Sequence, residues 1–139
     1  MIKKVFIDSD IILDVATGRT PFVESSRHIL ANIENGRMIG CISAHSVMNI
    51  YYILRKIGSD IKARAFLREV LKYLAILPVS HAMILEALGL DFSDFEDAVQ
   101  HQCAVSNQCA CIITRNGSDF KSSTLDVYSP AEFLALLGK

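Results

Sequence analysis

The chain has 139 residues, 51% of them hydrophobic and 21% charged, with three prolines and seven glycines, proportions that fit one folded domain spanning 1–139 and exclude a disordered chain. Its net charge of −1 excludes a broad, sequence-independent surface for nucleic acid, although a local basic patch stays compatible with it. No apolar run approaches the ~18 residues of a membrane span, and Lys3 and Lys4 lead into an apolar stretch that Asp8 interrupts, so no signal peptide is visible and a cytoplasmic protein is expected.

In chain order, Val5–Asp8 reads as a buried first strand of a parallel sheet. It delivers Asp8 and Asp10 to the strand's carboxyl end, where Asp10 suits a helix start. Thr20-Pro21 offers a cap and a first-turn proline for a helix over 22–35 that Gly36 ends. Met38–Ile42 is the second strand. Ser43 or Ala44 opens a helix to about Lys56 with Val47, Ile50, Tyr51 and Leu54 on one face. Ser59 or Asp60 caps the next, with a predicted stripe of Ile61, Ala65, Leu67 and Leu71 running to about Tyr73.

Ala75–Val79 is the third strand, its end made irregular by Pro78. Ser80 caps a short helix closed by Gly89, and Ser93 or Asp94 caps a helix to about Gln108. Cys111–Thr114 is the fourth strand, Asp126–Tyr128 a fifth, and Pro130 begins a last helix. Strands alternating with helices in this way predict an α/β fold, a three-layer α/β/α sandwich around a central, mostly parallel sheet of four to five strands. The four cysteines form no C-x2-C pair and are expected to be free, mostly buried thiols.

On this layout Asp8, Ser43, Asp94, Asp97, Thr114, Arg115, Asn116 and Asp119 all fall at the carboxyl edge of the sheet. Singly each has a dull reading: Asp94 and Asp97 suit the positive end of a helix dipole, and Asn116-Gly117 is a turn signal. Together, several carboxylates aimed at one crevice repel one another, and a hard divalent cation relieves that repulsion with oxygen ligands. No Gly-rich phosphate loop is present to suggest a nucleotide cofactor.

Four stretches carry a family resemblance: Phe6-Ile7-Asp8-Ser9-Asp10-Ile11-Ile12-Leu13, Ile42-Ser43-Ala44, Asp94-Phe95-Glu96-Asp97-Ala98, and Ile113-Thr114-Arg115-Asn116-Gly117-Ser118-Asp119-Phe120. With them the chain resembles, nearly end to end, the PIN domain family, small nucleases that include the VapC-type toxins of toxin–antitoxin pairs. The resemblance implies a Mg²⁺- or Mn²⁺-dependent ribonuclease that leaves 5′-phosphate products, a homodimer, and an antitoxin partner. Asp8 and Asp97 match the family's metal ligands, with Asp94 or Asp119 completing the set. Ser43 and Thr114 would orient ligands or a water, and Arg115 would bind substrate.

Two positions depart from the family's pattern. Asn49 stands where the toxins usually carry a glutamate, and Asn116 where many relatives have aspartate. Both keep polar contacts but bring no charge, which thins the acidic cage and motivates an alternative, a catalytically weakened PIN domain that binds RNA or protein. A haloacid-dehalogenase-like phosphatase, imitated by Asp8-Ser9-Asp10, is the remaining alternative. His45 and His101 read as partly exposed helix histidines, and Tyr51 and Tyr52 as core or dimer contacts. Arg55, Lys56, Lys62, Arg64, Arg68 and Lys72 read as solvated helix faces.

Overall fold

The computed structural model describes residues 3–138. Five strands, β1 (Lys4–Ile7), β2 (Ile39–Ser43), β3 (Leu74–Leu77), β4 (Cys111–Ile113) and β5 (Asp126–Tyr128), form one parallel sheet in the order β3-β2-β1-β4-β5. Val5 pairs with Gly40 on one side and Cys111 on the other, which centres β1. Such a central strand has both faces covered and must be apolar throughout: Val5, Phe6 and Ile7 are fully buried.

Seven helices cover the sheet: α1 (Ser9–Thr17), α2 (Val23–Glu34), α3 (Ala44–Ile57), α4 (Asp60–Val70), α5 (His81–Leu88), α6 (Phe95–Ser106) and α7 (Pro130–Leu137). Strand alternation sends Val5, Ile7, Ile42 and Ile113 into a core shared with α1 to α4 and α7. Phe6, Cys41 and Ile112 face the other way, onto α5 and α6. The three-layer expectation is therefore met. All four cysteines are free and buried, as their spacing suggested. Among the described residues no helix is long and apolar enough to cross a membrane.

Helix limits follow from local chemistry. Ser43, Ser59, Ser80 and Asp94 each accept a hydrogen bond from the third residue of the helix they open, and Ser129 forms a reciprocal capping box with Glu132 ahead of Pro130. Gly18, at φ 65°, closes α1 in a left-handed turn that suits glycine.

Two sequence expectations shift, while Asp10 stands at a helix start as expected. Helix α2 begins at Val23 with Phe22 in the cap position, so Thr20 caps nothing. In α4 the buried stripe is Ala63, Leu67 and Val70, whereas Ile61 is 80% exposed. Counting back from Leu67 by four reaches Ala63, a small residue that an eye for large side chains passes over. Asp10 lies in the first turn of α1, and Asp8 takes the cap position.

Gly40 marks where the sheet presses hardest on a helix. A Cβ built there falls 2.9 Å from Ile33 Cγ1 of α2, closer than van der Waals contact allows. Ile33 is a β-branched helix residue with little rotamer freedom and cannot easily withdraw. Gly40→Ala is expected to lower stability by about 1–3 kcal/mol in urea denaturation, the usual cost of overpacking; an unchanged midpoint would contradict this packing account.

Candidate active site

Strands β1, β2 and β3 step across the sheet in one direction and β4 and β5 in the other, so the chain changes direction between β1 and β4. Open parallel sheets form their ligand crevice at that point, outside the carboxyl ends of the strands. Asp8 stands there. Its N–H donates to Ile113 O at 3.0 Å, extending the ladder to β4. Buried Thr114 donates from Oγ1 to Asp8 Oδ2 at 2.7 Å and accepts at Oγ1 from the Asn116 N–H at 3.1 Å. Although Asp8 occupies the cap position of α1, its side chain caps nothing and is oriented by Thr114.

The opposite bank is the start of α6. Asp94 caps it, accepting from the Asp97 N–H at 3.1 Å, and Glu96 and Asp97 fill the first turn. Asp119 lies in the single 3-10 turn Gly117–Phe120 after β4. These acids sit within one another's field. Burial first, then Asp94, Asp119, Asp8 and Glu96 push the Asp97 carboxyl up to about 7. Burial also raises Asp8; the Thr114 bond and the Ser9 N–H oppose it, and Glu96 and Asp119 add to it. The crevice therefore gathers Asp8, Asp94, Asp97 and Asp119, and adds Glu96, whose flanking position in the Asp94–Asp97 segment was the available signal.

Among the described residues no three His, Cys, Asp or Glu side chains lie close enough together to grip one ion as they stand. The donors are nonetheless all oxygen, and their shared repulsion is what a hard divalent cation neutralises. Asp10 strengthens that match. Its Oδ2 accepts from Asn116 Nδ2 at 2.7 Å, but its Oδ1 is buried without a partner. Burial and Asp8 push Asp10 up to about 7 against the pull of Arg115.

Arg115 is turned toward α1 and α2. Its Nε and Nη2 donate to the two Asp14 oxygens at 2.9 and 3.2 Å, and its guanidinium lies 4.3 Å from the centre of the Phe22 ring. Asp14 is fully buried, and Ser26 adds a longer bond of 3.4 Å. An acid inside the apolar run Ile11-Ile12-Leu13-Asp14-Val15 was the visible sign that a buried partner exists. The pair fastens the loop after β4 to the helix after β1, and so fixes Asn116 and Thr114 relative to Asp8.

Ser43 likewise works through a neighbour. Its Oγ lies 2.6 Å from Gln100 Oε1 and 3.0 Å from Ser46 Oγ, while Gln100 Nε2 donates to Ser46 at 2.6 Å. This buried network ties the start of α3 to α6 one turn beyond Asp97. Gln100 was missed because a glutamine in an amphipathic helix gives no sequence signal. Asn49 is half-buried in the second turn of α3.

The histidines divide. His45 is half-exposed and pairs with Glu96 at 3.4 Å. His101 corrects the expectation of partial exposure: it is buried against Phe92, and its Nε2 accepts from the Thr124 N–H at 3.1 Å. Burial lowers its basicity and keeps it neutral. Tyr51, Tyr52, Arg55, Arg64 and Arg68 line an open cleft of about 520 Å³ between α3 and α4.

Comparison with known proteins gives the family and the fold. A family model described as PIN domain matches residues 4–118. None of the curated proteins matches the chain in sequence. Similar solved structures include a toxin–antitoxin complex from Klebsiella pneumoniae, 20% identical with a TM-score of 0.70 over 91% of this chain and 97% of that one. Another is a sarcin-ricin loop cleaving toxin from Mycobacterium tuberculosis, 13% identical with a TM-score of 0.69 over 87% and 95%. A third is a DNA-bound VapBC from Salmonella typhimurium, 14% identical with a TM-score of 0.68 over 94% and 99%. At these identities the likeness is one of fold.

The raised Asp97 carboxyl makes stability depend on pH. Its ordinary value is 3.8 and its folded value about 7, so the folded state holds the proton more tightly. Its contribution is fully present below about pH 4 and is lost as pH rises toward 7. In EDTA, Asp97→Asn should therefore melt higher than the wild type by a margin that widens between pH 4.5 and 7.5, reaching on the order of a few degrees. Thermal melts across that range showing a constant or reversed margin would contradict the repulsion described.

Proposed function

The chain belongs to the PIN domain family, and from that premise we propose that it is a metal-dependent ribonuclease that hydrolyses RNA phosphodiester bonds and acts as the toxin of a toxin–antitoxin pair. The observation that carries the reading is the concentration of Asp8, Asp97, Glu96 and Asp119 in one crevice at the switch point of the sheet, where the charges of Glu96 and Asp119 add to burial in raising both Asp8 and Asp97. Support for RNA as substrate comes from the fold-level neighbour that cleaves the sarcin-ricin loop, and support for an antitoxin from the neighbours found in toxin–antitoxin complexes. A homodimer and a domain occupying the whole of 1–139 belong to the same reading.

In it, Asp8 and Asp97 hold Mg²⁺ or Mn²⁺, with Asp94 or Asp119 completing the set. When bound, such an ion activates a water and neutralises charge on the scissile phosphate. The chain's own part is orientation. Thr114 aims the Asp8 carboxylate, Ser43 acts through Gln100 to seat α6, and Arg115 keeps the β4 loop against α1. Because its guanidinium is committed to Asp14, Arg115 serves the substrate by holding that loop, and Asn116 holds Asp10 beside Asp8.

A second reading, an RNA- or protein-binding PIN domain with weakened catalysis, is favoured by Asn49 and Asn116, which bring no charge. Cleavage of single-stranded and hairpin RNA in Mg²⁺ or Mn²⁺ separates the two. Asp8→Asn and Asp97→Asn should each lower the rate by more than about 100-fold, while Thr114→Val, which loses only an orienting bond, should lower it about 10–100-fold. A wild-type protein that cuts neither RNA, or acid variants that cut as well as wild type, would reject the nuclease.

A further inference from the structure

Beside the carboxylates lies a cavity that the chemistry above does not use. It measures about 240 Å³ and is lined by His45, Val79, Ile84, Phe95, Glu96 and Val99. Four different parts of the fold meet there. Val79 follows Pro78 at the carboxyl end of β3, His45 stands in the first turn of α3, and Phe95, Glu96 and Val99 come from the start of α6, with Ile84 on α5 behind them. Phe95 and Val99 are four residues apart and so share a helix face.

Phe95 is the first residue of α6 and is 48% exposed, although it lies one position from the cap and two from Asp97. A lone exposed phenylalanine is ordinary. Here, however, its ring forms a wall of a pocket whose other walls are aliphatic. The polar rim is one contact, Glu96 Oε2 to His45 Nε2 at 3.4 Å. Glu96 belongs to both places, because its charge is felt at Asp8 and Asp97 while its side chain lines the cavity. The pocket therefore adjoins the acidic crevice through Glu96, next in sequence to Asp97.

The geometry points to a subsite for one unpaired nucleobase of the RNA, guanine by preference, stacked on Phe95 and read by Glu96. The identity of the occupant rests on the ribonuclease reading. Single-stranded RNA is recognised by bases that leave the stack, lie on aromatic rings and are bonded at their edges. Apolar walls with one aromatic face suit a flat ring and reject the phosphate backbone. The choice of base follows from donor count. An ionised carboxylate only accepts hydrogen bonds. Guanine alone among the four bases presents two adjacent N–H donors, N1–H and the N2 amine, which match the two oxygens of Glu96. Adenine and cytosine place an acceptor nitrogen beside their amine, and uracil has one N–H between two carbonyls, so each would set a lone pair against the carboxylate. His45 lies beside Glu96 on the same rim.

Binding by the full chain tests this without requiring cleavage. Methyl NMR spectra in EDTA are followed while the RNA pentamers UUGUU and UUUUU are added; their equal phosphate charge cancels the repulsion from the acids. UUGUU should move the Val79, Ile84 and Val99 methyls and bind about tenfold more tightly than UUUUU, within the range for one stacked base. Ile84→Trp, which fills the cavity, and the milder Phe95→Leu should each remove most of that preference. Equal binding of both pentamers, or pocket methyls indifferent to both, overturns the subsite and leaves the cavity to a protein partner. The nuclease reading fails separately: pocket methyls that respond to UUGUU in a wild-type protein unable to cut RNA in Mg²⁺ or Mn²⁺ keep the base subsite and discard the hydrolysis.

Discussion

Asp8 is held by two strands at once, and the rest of the candidate site is arranged around that fastening. Its backbone N–H continues the ladder to Ile113 and its carboxylate is gripped by Thr114, so both halves of the residue are fixed from β4. The position follows from topology. The strand order makes β1 and β4 neighbours across the point where the chain reverses its march, and that leaves a crevice no crossover helix fills. An acid at that point is half shielded from water and must be compensated. Among the described residues no basic side chain pairs with Asp8; its charged neighbours are more acids, on α6 and on the turn after β4.

The two buried polar networks around the crevice explain how those acids are kept in place. Asp14, Arg115 and Phe22 form a closed unit in which the only buried charge among them is matched by a bidentate guanidinium lying over an aromatic ring. Ser43, Ser46 and Gln100 form a second unit that is uncharged and complete. Both link elements far apart in sequence and both sit directly behind the acidic bank. By contrast, the buried Oδ1 of Asp10 has no partner and Asp97 is raised to about 7. Asp10 and Asp97 are thus less well compensated by the chain than Asp14 or Gln100.

Much of this was legible in the sequence because the relevant signals are local. Ser59, Ser80 and Pro130 announce helix starts, and Val5-Phe6-Ile7 announces a buried parallel strand. The Asp94–Asp97 and Thr114–Asp119 segments place acids at helix and strand ends by spacing alone. What stayed hidden depends on pairs distant in the chain. Gln100 gains meaning only when α6 docks on α3, Glu96 only when it faces Asp8, and Arg115 looks free until Asp14 is folded beneath it. The burial of His101 depends on Thr124, 23 residues away, and could not be read from its own helix. In α4 the error had another cause: Ala63 buries while Ile61 does not, because which face packs is set by the neighbour rather than by side-chain size. The phosphatase alternative suggested by Asp8-Ser9-Asp10 falls with membership of the PIN family.

The two asparagines sharpen the question of what compensates the crevice. Asn116 is already engaged with Asp10, and Asn49 contributes no charge, so the proposed cation site rests on Asp8, Asp97 and a third acid from Asp94 or Asp119. Titration of the protein with Mn²⁺ by calorimetry, with and without RNA, addresses this most directly. Saturable binding that disappears in both Asp8→Asn and Asp97→Asn is the result the account predicts. No binding at millimolar metal in either condition, or binding undiminished in both variants, would contradict it.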